Sequence, residues 1–220
     1  MSNSPVPVPN SFAVGEALAY GWNGFKRYFG PLVVLMLIVI AITAVMFYLR
    51  PQDLLLSLVV SVVQWVVWLM IGLGLIRAAL AIVDGRAPVL ADLLSTEDLL
   101  PYFIASIVAS IVVGFGLLLC IIPGLIAAYL LQFYGYAIVD DQTGSTRDRP
   151  DGMGALSTSY EITTKTVGTL LPLVLACALL NLVGALLCGF GLLVTAPVTA
   201  IAIAFAWRRL TGGRVARLAG

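Results

Sequence analysis

Two long uncharged stretches decide the fold of this chain. The first reads LLPYFIASIVASIVVGFGLLLCIIPGLIAAYLLQFYGYAIV (residues 99–139), and the second runs from Thr166 to Trp207. At about 1.5 Å per residue, a single helix over either stretch would be about 60 Å long, twice the thickness of the apolar bilayer core. Because only helices and closed barrels satisfy the backbone in lipid, each stretch predicts two spans joined by a tight hairpin.

The composition assigns the whole chain to the membrane. Of its 220 residues, 61% are hydrophobic and 10% are charged, whereas about 25% are charged in a typical soluble domain. The net charge is +1 and histidine is absent, so the commonest general base and metal ligand is missing. No basic stripe with interleaved aromatic residues occurs, which argues against a nucleic-acid partner.

Six spans account for the apolar stretches of an all-α polytopic fold. They are predicted at about 31–49, 54–83, 102–121, 124–140, 167–188 and 192–208, within a membrane domain of residues 31–210. Residues 1–10 are polar and proline-rich and predict a disordered tail, and residues 211–220 a cytoplasmic tail. Residues 11–30 predict an interfacial amphipathic helix with aromatic residues at headgroup level. Its expected apolar face consists of Val14, Leu18, Trp22, Phe25 and Phe29.

The basic residues predict the orientation. If the N-terminus is cytoplasmic, every Lys and Arg except Arg50 lies on an inner segment of the six-span topology. The positive-inside rule therefore favours a multi-pass protein of the inner (cytoplasmic) membrane with both termini in the cytoplasm.

The last four spans contain an internal repeat. The string GFGLL occurs at residues 114–118 and 189–193, and each copy is followed by a proline, Pro123 or Pro197. Both hairpins have the same orientation, so the repeat is parallel. Neither phosphate-binding glycine motif is present. We expect Gly114–Gly116 to pack in the last turns of span three, Ile122–Gly124 to form the first turn, and Gly189–Gly191 to form the second.

Few polar side chains lie within the spans. Gln64, Gln132 and Asn181 are expected to form hydrogen bonds between helices. No acidic or basic residue lies near a span centre, which argues against an ion-coupled transporter. Small residues recur at every fourth position, as Ser106, Ser110 and Gly114 in span three and as Ala196, Ala200 and Ala204 in span six. These seams favour packing within one chain, with a homo-oligomer interface as the open alternative.

Other candidate site residues lie at the ends of the spans. Cys120, Cys177 and Cys188 are expected to be small buried apolar groups, and a Cys120–Cys188 disulfide is the alternative. Asp140 and Asp141, with Asp148 and Asp151 nearby, could hold a divalent metal. The favoured interpretation is solvated boundary carboxylates, with Arg147 and Arg149 as partners. Ser95–Asp98 fits a capping box. No catalytic, metal-binding or cofactor-binding residue is assigned.

The inner loops carry most of the remaining polarity. The loop between spans two and three includes a short amphipathic piece with Val89, Leu90, Leu93 and Leu94. The loop between spans four and five includes a candidate surface helix from Met153 to Thr166.

Four segments in order resemble one bacterial family. They are GWNGF (21–25), GLGLIRAALAIVDGRAP (72–88), IIPGLIAAYLLQF (121–133) and GALSTSYEIT (154–163). From about Phe12 to Leu210 the chain resembles six-span YciC-like membrane proteins, which are related to the membrane domain fused to some glycerophosphodiester phosphodiesterases. The sharpest resemblance is Ala155–Ser159. The family is largely uncharacterised, and the resemblance implies a six-span fold but no catalytic residues, because the phosphodiesterase activity belongs to the fused soluble domain.

Three functions are compatible with these features. The leading hypothesis is a non-enzymatic membrane module that scaffolds a protein partner through its cytoplasmic loops or organises envelope lipids. The alternative is a carrier for a lipid or apolar solute, which predicts a mid-membrane pocket lined by Gln64, Gln132 or Asn181. A solidly packed core there would argue against it. The weakest hypothesis is a lipid-phosphate hydrolase or transferase that uses Asp140 and Asp141.

Overall fold

The computed structural model describes residues 12–48, 53–89, 98–140, 151–187 and 191–217. These ranges are largely helical, and no strand occurs in them. Five of the described helices are long and apolar enough to cross a membrane, and a bent pair at the N-terminal end brings the number to six. The chain is therefore an all-α polytopic protein, and the predicted fold class is confirmed.

The helix bounds follow the predicted spans closely. In chain order the described helices are α1 (Val14–Arg27), α2 (Phe29–Tyr48), α3 (Leu54–Val83), α4 (Leu99–Leu119), α5 (Ile121–Leu130), α6 (Tyr134–Val139), α7 (Gly152–Lys165), α8 (Val167–Leu186) and α9 (Leu192–Leu210). Helices α5 and α6 together form span four, which is broken. Helix α7 lies in the candidate surface helix of the loop between spans four and five.

Helix α1 is the predicted amphipathic helix, and its axis makes an angle of 89° with that of α2. Glu16 lies in its first turn and Lys26 and Arg27 in its last, which complements the helix dipole. It packs against α9 and contacts α3 through Gly24. Helix α1 therefore crosses the end of the bundle instead of extending the first span.

The packed face of α1 is made of small residues. Ala17, Gly21, Gly24 and Phe25 are buried, and a Cβ atom on Gly21 would lie 2.4 Å from the carbonyl oxygen of Val198. Two of the five residues predicted for the apolar face, Trp22 and Phe29, are 47% and 55% exposed on the protein. Apolar periodicity locates this helix, but close approach of two backbones decides which side is buried.

The two hairpins use their glycines differently. The first turns at Cys120, whose backbone is extended between α4 and α5, so the prediction of a turn at Ile122–Gly124 is wrong. Gly116 packs there against Gly124, where an added Cβ would lie 2.9 Å from the Gly124 Cα. In the second hairpin Gly191 packs against Gly184 of α8. In the first hairpin the GFG string thus packs from the first helix, whereas Gly189 and Phe190, which with Gly191 were predicted to form the second turn, lie outside the described residues.

The core is concentrated at one end of the bundle, which we call the charged end and define by the C-terminal ends of α3, α6 and α9. All buried residues of α3 lie between Ile71 and Val83, whereas large apolar side chains of its first half, from Leu54 to Trp68, are exposed. The opposite end, where the two hairpins turn, is the hairpin end. Its exposed apolar side chains are suited to contact lipid.

Candidate functional site

The span formed by α5 and α6 is broken at membrane depth. Helix α5 ends at Leu130 and α6 begins at Tyr134, and Leu131–Phe133 form a turn between them. The amide of Tyr134 donates to the carbonyl of Leu131 across 3.3 Å. A break of this kind frees backbone groups, which must find partners because no bulk water is present in the bilayer core.

Ser159 of α7 supplies those partners. Its hydroxyl accepts a hydrogen bond from the amide of Phe133 at 3.0 Å and donates one to the carbonyl of Leu130 at 2.9 Å. The Ser159 side chain is fully buried, and Ala155, Leu156 and Thr163 are buried on the same face of α7. The candidate surface helix is therefore docked against the bundle, where it contacts α4, α5, α6 and α8.

A groove of about 470 Å³ lies beside the broken span. This volume is within the range of about 300–1,000 Å³ that is usual for small-molecule sites. Its lining residues come from α4 and the broken span: Ala109, Ser110, Val113, Gly114, Leu117, Ala128, Leu131, Gln132 and Tyr134. Ser110, Gly114, Leu117 and Ala128 are exposed, so the groove opens sideways towards lipid. A Cβ atom on Gly114 would meet nothing within 4 Å.

The groove contains an unpaired hydrogen-bond donor. The side-chain nitrogen of Gln132, Nε2, is buried and has no hydrogen-bond partner. Ser106 and Tyr134, just beyond it, pair with each other at 3.0 Å. All of the groove's lining residues are uncharged. Ala109, at the centre of α4, marks one end of the groove, which continues along α4 to Leu117. Gln132 therefore contributes a polar group near the middle of the candidate span Ile121–Val139.

The other two predicted amides lie elsewhere. Asn181 of α8 donates to the hydroxyl of Thr199 in α9 at 3.0 Å, which confirms the expected interhelical hydrogen bond. Gln64 is half-buried in the first half of α3 and does not line the groove. Of the three amides, Gln132 is the one that lines this groove.

A buried ion cluster closes the charged end. The Arg208 guanidinium, which is 2% exposed, binds Asp84 through Nε and Nη2, each at 3.0 Å from a carboxylate oxygen. Its Nη1 donates to Asp140, whose side chain is 1% exposed. Trp207 Nε1 donates to the second oxygen of Asp140 at 2.7 Å. The cluster joins the C-terminal ends of α3, α6 and α9.

The chain segment after α9 also binds this end. The amide of Ala216 donates to the carbonyl of Val83 at 2.8 Å, and the Tyr20 hydroxyl donates to the carbonyl of Ala216 at 2.9 Å. Burial, with the nearby charge of Asp84, raises the pKa of Tyr20 to about 12. The phenol therefore stays protonated at neutral pH and remains a donor.

The structure corrects the interpretation of Asp140 as a solvated boundary residue. Asp140 is buried because Arg208 and Trp207, which are 68 and 67 residues away, satisfy both of its oxygens. Asp151 caps α7 through the amide of Gly154, whereas Asp141, Asp148, Arg147 and Arg149 lie outside the described residues. Within the described ranges, no group of three or more acidic, cysteine or histidine side chains could hold a metal.

The cysteines and the capping box have mixed outcomes. Cys177 is buried, as expected, but Cys120 is a free and exposed cysteine at the hairpin turn, where the sequence predicts a buried one. Cys188 lies outside the described residues. Asp98 begins α4 with a left-handed backbone and no side-chain cap, and it pairs instead with Arg77 at 3.4 Å. Ser95 and the amphipathic piece at residues 90–94 also lie outside the described ranges.

Each of the two small-residue seams is only partly packed within the chain. Ser106 bonds to Tyr134, and Ser110 and Gly114 line the groove. In α9, Ala204 is fully buried. Neither the Asp84–Arg208–Asp140 cluster nor the role of Ser159 is predicted from the sequence. The available signal for Ser159 was its place at the end of the Ala155–Ser159 step, whereas nothing local distinguishes Arg208 from its half-buried neighbour Arg209.

Comparisons with known proteins give distant relatives. The uncharacterized protein Rv2560 of Mycobacterium tuberculosis and the uncharacterized protein Mb2590 of Mycobacterium bovis are each 30% identical to this chain over 142 residues. The match covers 64% of this chain and 42% of each relative, so it spans less than half the length of these curated proteins. No family model matches the chain. No solved structure matches it either.

Proposed function

We propose that this chain binds a lipid or apolar solute within the membrane and carries it across, without catalysing a chemical change. The observation that supports the proposal is the open groove beside the broken span, which is lined in part by Gln132, whose side-chain nitrogen has no hydrogen-bond partner. Secondary transporters commonly build their sites at discontinuous helices near the bilayer midplane. The mid-membrane pocket is the feature by which the sequence analysis distinguishes a carrier from a scaffold.

The free-energy barrier to transfer comes from the polar part of the solute. An amphiphile that crosses a bilayer must bring its polar group through the apolar core, and an unpaired polar group there costs several kcal/mol. A donor at mid-depth lowers this barrier. Helix α7 contacts both helices of the α4–α5 hairpin and the first helix, α8, of the α8–α9 hairpin. It is therefore suited to couple a movement of one hairpin to the other.

The proposed setting is the inner membrane of a bacterium, with the charged end in the cytoplasm. The distribution of Lys and Arg supports this orientation, and the mycobacterial relatives support a bacterial source. Membership of the YciC-like family is part of the same proposal. It is supported by the Ala155–Ser159 step, in which Ala155 and Ser159 are fully buried.

A transfer assay tests the carrier function. Vesicles that contain the full chain receive a lipid probe with a fluorophore on its chain, and a membrane-impermeant reductant is added outside. We expect the inner pool of probe to be quenched faster than in protein-free vesicles. Quenching no faster than in protein-free vesicles, with neutral and with charged lipid probes, would contradict the proposal.

A scaffold or lipid-organising module is the second candidate. Its support is an exposed basic surface, formed by Lys26, Arg27, Arg86 and Arg217 on segments at the charged end. Such a surface favours anionic headgroups or an acidic protein partner. Crosslinking in cells followed by purification tests it: a stoichiometric protein partner supports the scaffold, and a chain that purifies alone while it transfers lipid excludes it.

A further inference from the structure

The ligand of the groove is defined by its walls and by the unpaired side-chain nitrogen of Gln132, one of its lining residues. We infer that the groove binds a neutral single-chain lipid of the monoacylglycerol class, and that the Gln132 side chain turns its covered nitrogen towards an ester carbonyl, which accepts a hydrogen bond from it. This inference rests on the proposed carrier function and names its substrate class.

The charge of the groove selects a neutral ligand. Its lining residues are all uncharged. A carboxylate or phosphate at this depth would therefore lie far from any counter-charge on the walls, at a large desolvation cost. Arg208, a buried cation at the charged end, is already engaged by Asp84 and Asp140.

The volume of the groove fits a lipid with one acyl chain. At about 30 Å³ for each water-sized group, a groove of about 470 Å³ has room for on the order of fifteen methylene-sized groups. Ala109, Val113, Leu117, Ala128 and Leu131 provide apolar contacts for such a chain. Because the groove opens sideways, a lipid can enter from the surrounding bilayer.

The depth of the Gln132 donor in the bilayer distinguishes a bound ligand from the surrounding lipid. The ester groups of bilayer lipids lie at the edge of an apolar core about 30 Å thick, roughly 15 Å from the midplane. Gln132 lines the same groove as Ala109 and Ser110, which lie at the middle of α4. A surrounding lipid would present only methylene groups at that depth, whereas a lipid held during transfer presents its carbonyl.

Two substitutions, each with a control, test the space in the groove and its hydrogen-bond donor separately. In Gly114→Leu the new side chain meets no protein atom near its Cβ, so it fills the groove without disturbing the fold. Gly168→Leu is its matched control, because Gly168 is also helical, exposed and open around its Cβ, but lies outside the groove. Gln132→Leu removes the donor, and Gln64→Leu removes the same group from α3.

The experiment uses a photoactivatable monoacylglycerol on the purified full chain, with labelled residues located by mass spectrometry. We expect labelling to concentrate at residues 109–117 and 128–134. Gly114→Leu should reduce it at least tenfold, and Gln132→Leu about three- to tenfold, as expected for one lost hydrogen bond. Gly168→Leu and Gln64→Leu should have no effect. A photoactivatable alkane, which has no acceptor, should label the wild type and Gln132→Leu equally.

Failure of the assigned ligand and failure of the carrier function give different results. Labelling spread over all exposed apolar helices, or unchanged in Gly114→Leu, overturns the assigned ligand even if the vesicle assay shows accelerated transfer of other lipids. Groove-specific labelling without accelerated transfer supports the ligand and overturns the carrier function. A charged single-chain probe that competes as well as monoacylglycerol also overturns the assigned class.

Discussion

Arg208 binds Asp84 through two parallel hydrogen bonds of 3.0 Å, although 124 residues separate them. This bidentate geometry is the strongest form of an arginine–carboxylate pair. The same guanidinium also binds Asp140. One side chain near the end of α9 thereby fixes the ends of α3 and α6, so the charged end is held together while the hairpin end remains open to lipid.

Removing the Arg208 side-chain charge should strongly destabilise the protein. Arg208→Met leaves two buried carboxylates without their guanidinium, and breaking a buried pair in this way costs about 3–5 kcal/mol. We expect a large fall in the thermal unfolding midpoint of the purified chain in detergent. Arg209→Met is the matched control, because Arg209 pairs with Glu16 at a surface where the two side chains are 37% and 48% exposed.

The control should lose about 0–1 kcal/mol, as is usual for surface pairs. If both variants unfold at the same temperature, the buried cluster contributes no more than a surface pair, and the account of the charged end is wrong.

The broken span depends on Ser159. Ser159→Ala leaves the buried Leu130 carbonyl and Phe133 amide unpaired, at a cost of about 1–3 kcal/mol. We expect faster amide hydrogen exchange at residues 130–135 and a lower unfolding midpoint. Thr164→Ala in the same helix is the control, since the Thr164 hydroxyl is exposed and bonds only within α7. Unchanged exchange in Ser159→Ala would show that α7 does not hold the break.

The sequence predicts structural features that depend on local composition. It does not predict contacts between residues that are far apart in the chain. Apolar runs predict the long described helices, and α3 has the predicted bounds of 54–83. The break in span four leaves no such signal, because Leu131–Phe133 contain neither glycine nor proline and their partner, Ser159, lies in another helix. Asp140 was expected at a solvated boundary for the same reason: Arg208 is remote in the chain.

The candidate site was predicted in part. Gln132 was identified as an intramembrane polar residue, because amides are rare among apolar residues. Its lack of a partner could not be deduced, since that depends on the path of the backbone around it. Similarly, the spacing of Ser110 and Gly114 indicated close packing, whereas the broken span leaves these two residues lining an open groove.

Close contact between α1 and α9 depends on Gly21. In Gly21→Ala the new methyl group would lie 2.4 Å from the Val198 carbonyl oxygen, so the helices must separate, at a cost of about 1–3 kcal/mol. We expect faster protease cleavage near α1. In Gly15→Ala the methyl group meets nothing within 4 Å, and better helix propensity should raise stability by up to about 1 kcal/mol. Equal sensitivity of both variants would contradict this packing.

Tyr20 makes the attachment of the C-terminal segment pH-dependent. Its folded-state pKa is about 12, above the ordinary value of 10.0, so the protonated phenol stabilises the fold. This contribution is complete below pH 10 and is lost as the pH rises from 10 to 12. Tyr20→Phe should expose residues 213–217 to proteases at pH 8 and abolish the Tyr20 contribution to the fall in stability above pH 10. A Tyr20→Phe variant with unchanged protease sensitivity would contradict this role.

The proposed orientation predicts which positions an impermeant reagent reaches. In a variant without Cys120, Cys177 and Cys188, a single cysteine at position 51 should react in intact cells. Single cysteines at positions 145 and 215 should react only after the membrane is opened. The physical reason is that basic residues are retained on the cytoplasmic side. Equal labelling of all three in opened membranes is the control for accessibility. The reverse pattern would place the charged end, with Arg208 and Asp84, outside, and would overturn the orientation while leaving the helical fold intact.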